Sequence, residues 1–177
     1  MSLLNLPTVE SATGETKEIF EEFQAAFGML PNAIRLWSIN PSLLRNLWNS
    51  IKALSSTSQE NQKLYTFIRY LVADKGECEY CIGFNASLLI NIFNIPQDEL
   101  EVIRKDNSKV PLDTKHKALL LFAMQSIHDA ESVNTKDIDA MKKLDISERE
   151  MFDIVHAASN MLVVNTLFKT FKLEHDH

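Results

Sequence analysis

The chain reads as an all-α protein. Apolar residues recur at three- and four-residue intervals along most of its 177 positions, the period of a helix face and not of a strand. Only four glycines and five prolines occur, too few turn residues for the many hairpins of a sandwich or barrel. Hydrophobic residues at 45% and charged residues at 24% match a soluble globular chain, so disordered, collagen-like and low-complexity classes are excluded. The length suits a single domain, taken as 1-177, large enough to bury a core of its own.

The first helix is expected from Gly14 to Phe27, where Ile19, Phe20, Phe23 and Phe27 form the apolar stripe and Gly28 stops it. A turn through Met29, Leu30, Pro31 and Asn32 leads to a short helix that breaks at Asn40-Pro41. Pro41 suits the first turn of the next helix, whose face is Leu43, Leu44, Leu47, Trp48, Ile51 and Leu54. After a polar link at Ser55 to Ser58, Glu60 to Asp74 repeats the pattern with Leu64, Phe67, Ile68, Leu71 and Val72. Gly76 stands where a left-handed C-terminal cap is wanted, and a fifth helix is expected at once, near Glu77. Pro96 starts a shorter acidic helix and Pro111 opens a seventh, with Leu112, Leu119, Leu120, Ala123 and Ile127 as its stripe. A small helix from Thr135 to Lys143 follows. Ser147 and Glu150 then form a capping box for a long last helix carrying Met151, Ile154, Val155, Ala158, Met161, Leu162, Asn165, Phe168 and Phe171. The tail, Glu174 to His177, is polar and expected to fray.

Eighteen Lys and Arg stand against 24 Asp and Glu, a formal charge of −6. That balance disfavours nucleic acid or an anionic membrane surface as the principal partner. No contiguous apolar run approaches the ~20 residues that span a bilayer. The start MSLLNLPTVE has neither a basic region nor a small-residue cleavage site, so a cytoplasmic location is expected.

The only cysteines, Cys78 and Cys81, are three apart, too close to staple distant parts of a secreted scaffold. Cys78-Glu79-Tyr80-Cys81 has three readings: a redox dithiol, half of a zinc site, or two buried small hydrophobes. Zinc is poorly served, because structural sites want four ligands and no second CxxC or close His pair lies inside the fold. The dithiol reading has a mechanism. A thiol in the first turn of a helix feels the partial positive charge of unsatisfied N–H groups, which stabilises thiolate, while Glu77 and Glu79 oppose it. The spacing also brings both sulfurs to one side of that turn, within reach of a disulfide. Helix position favours Cys78 as the more exposed sulfur. A thioredoxin would need a buried strand and a βαβ setting ahead of its CxxC, and here a helix precedes it.

A helix, a glycine stop and a CxxC that opens the next helix, in an otherwise helical chain, resemble the alkylhydroperoxidase D-like, peroxidase-related branch of the carboxymuconolactone decarboxylase superfamily. The stretch from Gly28 through Asn32, Arg35, Ser38 and Pro41-Ser42-Leu43-Leu44 resembles the upstream part of that branch. The cysteine helix resembles its centre, and the last helix with Asn165 its C-terminus. The resemblance implies a helical bundle of about nine helices and a thiol-dependent peroxidase in antioxidant defence or a disulfide oxidoreductase, with a hydroperoxide or a disulfide as substrate, in which Cys81 attacks the oxidant and Cys78 resolves the sulfenate. It also implies electrons from a thiol protein or a dihydrolipoyl group, and a homo-oligomer, trimer or hexamer. No flavin, haem or nucleotide motif is present, so no cofactor is expected.

The family's motif sets a Glu twelve residues before the first cysteine and a His four after the second, which relay the proton. Those positions hold Thr66 and Asn85. Neither an amide nor a threonine hydroxyl takes a proton near neutral pH, so reduced peroxidase activity is expected, and the pair Thr66→Glu with Asn85→His should raise it. His116, on the apolar stripe of its helix, is the candidate substitute base, whereas His128 and His156 fall off theirs. Tyr80 and Glu79 are expected to turn away from the sulfurs, as rim or interface residues. The alternative reading is a non-catalytic redox sensor or adaptor whose Cys78–Cys81 disulfide controls assembly. The decarboxylase activity of the wider superfamily is a weaker third, since it does not need the dithiol.

Overall fold

The computed structural model describes residues 2–176, and these form nine α-helices and two short 3-10 turns with no strand among them. Two compact units are present, one comprising the residues up to Thr57 together with those from Leu167 onward, the other Ser58–Thr166.

In the first unit α1 (Gly14–Phe27), α2 (Asn32–Trp37) and α3 (Pro41–Ser55) enclose Ile19, Phe20, Phe23, Ile34, Leu44 and Trp48. Gly28 ends α1 at φ 75°, in the left-handed region that glycine enters without steric cost, and its N–H returns to the Gln24 carbonyl. Phe27, expected on the buried stripe, is 50% exposed, with its ring against Phe23 and edge-on to Trp48. The Asn40 side chain accepts from the Leu43 N–H and Pro41 fills the first turn of α3. The polar tail is docked, contrary to expectation. The Asn32 N–H donates to Asp176 Oδ1 at 2.6 Å, and its side-chain amide donates to the carbonyls of Glu174 and His175. Pro31 has no side chain to cap α2, so the incoming carboxylate satisfies one of its orphaned donors. His177 lies outside the described residues. Arg35 reaches back to the carbonyls of Leu6 and Pro7, so Asn32 and Arg35 tie down both ends of the chain.

In the second unit α4 (Gln59–Lys75) is the central element and packs against α5 (Glu79–Asn91) and α7 (Thr114–His128). Its buried run includes Leu64, Thr66, Phe67, Ile68, Tyr70, Leu71, Val72 and Ala73. After α5, Pro96 precedes α6 (Gln97–Lys105), which is acidic in its first turn and basic in its last, as the helix dipole favours. Arg104 of α6 pairs with Asp74 of α4. Helix α7 begins at Thr114 and not at Pro111, because Asp113 caps it by accepting from the His116 N–H. Next come α8 (Thr135–Lys143), with an Asn134–Asp137 capping box, and α9 (Glu148–Thr170), whose residues as far as Thr166 belong to this unit. The Ser147–Glu150 capping box forms as expected. Among the described residues α9 is the one helix long and apolar enough, by length and composition alone, to cross a bilayer; its polar residues hide this in a reading of contiguous runs. Met151, Ile154, Ala158 and Met161 are buried along it, while Phe152, Leu162 and Val163 are exposed.

Candidate dithiol site

The turn between α4 and α5 positions the cysteines, and the residue that redirects the chain there is Glu77, at φ 51°. Gly76 is right-handed at φ −85°, so the expected left-handed glycine cap is corrected. Glycine is required at 76 for space. A Cβ there would collide with the side-chain amide of Asn165, which donates to the Val72 carbonyl at 3.0 Å. The Asn165 Oδ1 is buried without a partner. Beyond Glu77 the Cys78 N–H donates to the Ala73 carbonyl. Cys78 is the N-cap of α5 and not a residue of its first turn, so the helix starts two residues later than expected.

Cys78 and Cys81 are joined by a disulfide, with Cα atoms 5.3 Å apart. Both are buried at 2% exposure, which corrects the expectation that Cys78 is the more exposed of the two. The α4 and α5 packing covers both positions equally, whatever their place in the turn. Glu79 points to solvent, while Tyr80 is buried and stacks on Phe84, which corrects the rim half of the expectation for Tyr80. A cleft of about 470 Å³ lined by Tyr70, Ile82, Ala86, Ile90, Leu100 and Arg104 opens beside α5, and neither cysteine lines it.

The two positions that hold a relay in the resembled motif meet in space, through a residue that the sequence reading missed. Arg69 donates from Nε to Asn85 Oδ1 and from Nη2 to Thr66 Oγ1, each at 2.9 Å. Thr66 in turn donates its hydroxyl to the Gln62 carbonyl, and the Asn85 amide donates to the Cys81 carbonyl at 2.8 Å. Thr66 and Asn85 are both buried. Asn85 therefore bonds the backbone of Cys81, and its amide is not spent on sulfur. Desolvation lowers the Arg69 pKa to about 10, so the guanidinium keeps its charge at neutral pH. The signal for Arg69 was available in outline: it lies one helical turn from Thr66 on the same face, a cation inside an otherwise buried run.

His116 is elsewhere. Its Nδ1 meets Asp113 at 2.5 Å and its Nε2 meets Asn61 Oδ1 at 3.1 Å. Asn61 lies in the first turn of α4, and the helix from there to Ala73, which holds Cys78, is about 18 Å long at 1.5 Å per residue. The imidazole considered as a substitute base is thus tied into the α4 and α7 packing at the end of α4 away from the disulfide.

The sequence matches no family model and no curated protein. The structure is similar to solved structures over nearly its whole length. One is the alkylhydroperoxidase AhpD core of an uncharacterized peroxidase-related protein from Ralstonia eutropha JMP134, with TM-score 0.83 and 17% identity over 99% of this chain and 92% of that one. Another is an uncharacterized peroxidase-related protein from Silicibacter sp. TM1040, with TM-score 0.82 and 20% identity over 99% and 92%. The debrominase Bmp8, as a cysteine-to-alanine variant in complex with 2,3,4-tribromopyrrole, gives TM-score 0.71 and 15% identity over 99% and 94%. The chain has the alkylhydroperoxidase D-type fold.

Proposed function

We propose that this chain, with the alkylhydroperoxidase D-type fold and a cysteine pair at the start of α5, is a dithiol oxidoreductase that reduces hydroperoxides slowly. The observation that carries the reading is the Cys78–Cys81 disulfide at a helix N-terminus within that fold. In the reduced protein the Cys81 thiolate attacks the peroxide oxygen. A sulfur–oxygen bond forms, the O–O bond breaks, and the departing alkoxide takes a proton to leave as the alcohol. Cys78 then attacks the Cys81 sulfenic acid, the disulfide forms and water leaves. A dithiol reductant, a thiol protein or a dihydrolipoyl group in the cytoplasm, returns two electrons and becomes a disulfide itself. The chain's acidity supports a protein or small molecule, and not nucleic acid or a membrane, as the partner. The resemblance supports assembly into a homo-oligomer.

Slowness follows from the relay positions. General acid–base assistance contributes ~10²–10⁴-fold, and Thr66 and Asn85 supply none. Burial of both sulfurs and the missing base favour one second reading, a redox sensor or adaptor whose disulfide alters assembly. Stopped-flow oxidation of the reduced protein by hydrogen peroxide and an organic hydroperoxide separates these readings. Oxidation by a hydroperoxide, turning over with a dithiol and faster than a free thiol, supports the enzyme. Oxidation no faster than a free thiol, with a change in assembly, supports the sensor. Intact mass should fall by two hydrogens on oxidation and recover with dithiothreitol; persistent free thiols or stoichiometric zinc refute the dithiol.

A further inference from the structure

We infer that the Arg69 guanidinium is the standing positive charge against which the disulfide is reduced, a positioning residue that acts on the pair through Asn85 and draws its equilibrium towards the dithiol form. The inference rests on the dithiol reading above and names the residue that tunes it.

Arg69 differs from the other arginines of the chain. Arg45, Arg104 and Arg149 each pair with a carboxylate, and Arg35 serves backbone carbonyls and Asn32 at the chain ends. The side-chain partners of Arg69 are both neutral, the Thr66 hydroxyl and the Asn85 amide, and no ion pair to it is present among the described residues. A half-buried cation whose side-chain partners are neutral is costly to keep, and its natural complement is an anion that arises during function.

Reduction creates such an anion. The disulfide is neutral. Two electrons from a dithiol reductant and one proton convert it to one thiol and one thiolate, while the reductant is oxidised to its own disulfide. The new charge forms at the N-terminus of α5, where the helix dipole already favours it. Two hydrogen bonds, Arg69 to Asn85 and Asn85 to the Cys81 carbonyl, connect the guanidinium to that turn. A nearby positive charge lowers a thiol pKa and stabilises the reduced form, which makes the disulfide more oxidising.

The other charges around the pair do not replace Arg69. Glu77 and the sole charged residue of α5, Glu79, are exposed and negative. On α4, Glu60 and Lys63 lie near the far end, Asp74 is paired with Arg104, and Lys75 is exposed. On α6, Glu101 pairs with Arg104. The charges of α7 are confined to its ends, at Lys115, His116, Lys117 and His128. Those of α9 within this unit are Glu148, Arg149, Glu150, Asp153 and His156, of which Glu148 and Glu150 pair with Lys142 and Lys115, and Arg149 with Asp153.

Wild type, Arg69→Lys and Arg69→Met are equilibrated against glutathione redox buffers, and the reduced proteins are titrated by thiolate absorbance. In wild type the lower thiol pKa should fall below the ordinary ~8.5. Arg69→Met should raise it and shift the equilibrium at least tenfold towards disulfide, ~30 mV for a two-electron couple, while Arg69→Lys keeps most of the wild-type values. A folded Arg69→Met with unchanged titration and equilibrium overturns the inference. So does a wild-type thiol that titrates at or above ~8.5, which decides the matter if Arg69→Met does not fold. A pair that cannot be cycled by dithiothreitol overturns the dithiol reading and this inference with it; a reversible pair that ignores Arg69 overturns the inference alone.

Discussion

Arg69 changes what it would take to restore a proton relay. A carboxylate introduced by Thr66→Glu would stand where the guanidinium now finds a hydroxyl at 2.9 Å. It would form a buried ion pair and be held ionised, with its pKa pulled down by the adjacent cation. Asn85→His would meanwhile remove the amide oxygen that now accepts from Arg69 Nε. The double variant alone, which the motif led us to expect to be sufficient, should therefore gain little peroxidase turnover. Adding Arg69→Met releases the carboxylate, and the triple variant should gain a measurable part of the ~10²–10⁴-fold that acid–base assistance supplies. Steady-state turnover with an organic hydroperoxide and a dithiol reads this out. A well-folded triple variant that turns over no faster than Arg69→Met alone would refute the relay argument, and a double variant that already gains would refute the capture of its carboxylate by Arg69.

At the scale of helices, Glu150 joins two elements. One oxygen of its carboxylate accepts from the Ser147 N–H and hydroxyl and so caps α9; the other meets Lys115 of α7 at 2.8 Å. Those bonds, that to Lys115 first, lower its pKa from 4.5 to about 2. A carboxylate depressed in the folded state contributes stability that is present in full above its unfolded pKa and is lost as the pH falls through the folded one. Glu150→Ala should cost about 1 kcal/mol at neutral pH, most of it from the cap because the lysine pair is partly exposed. The difference from wild type in urea melts should shrink as the pH falls from 4.5 towards about 2. A difference that does not change with pH would assign the loss to packing.

For the whole molecule, the exposed apolar face of α9 bears on assembly. Phe152 is 71% exposed and stacks on His156, and Leu162 and Val163 lie further along the outer side of the same helix. Exposed apolar side chains in this number on one helix favour a partner surface, and closed homo-oligomers are the commonest form of association. Light scattering at micromolar concentration should give a multiple of 20.2 kDa, three or six by the resemblance. Phe152→Glu should lower the measured mass without loss of helical circular dichroism. A wild-type mass of 20.2 kDa would refute assembly.

The set of helices is legible along the chain, because a helix is settled within a few residues: the apolar period, Gly28 after α1, Pro41 at the start of α3, and Ser147 with Glu150 before α9. The CxxC near a helix start is likewise a matter of counting along the chain. What those residues touch depends on segments distant in sequence that fold onto one another. Gly76 is a glycine because Asn165 bonds Val72 from 93 residues away, and no local rule contains that contact. The tail is held because Asp176 reaches Asn32 across 144 residues. Arg69 sits four residues before Ala73 in an ordinary helical pattern, and it becomes the centre of the site once α5 packs on α4 and brings Asn85 to it across 16 residues. Periodicity says which face of a helix is buried; charge, burial and hydrogen-bond partners belong to the pair of faces that meet.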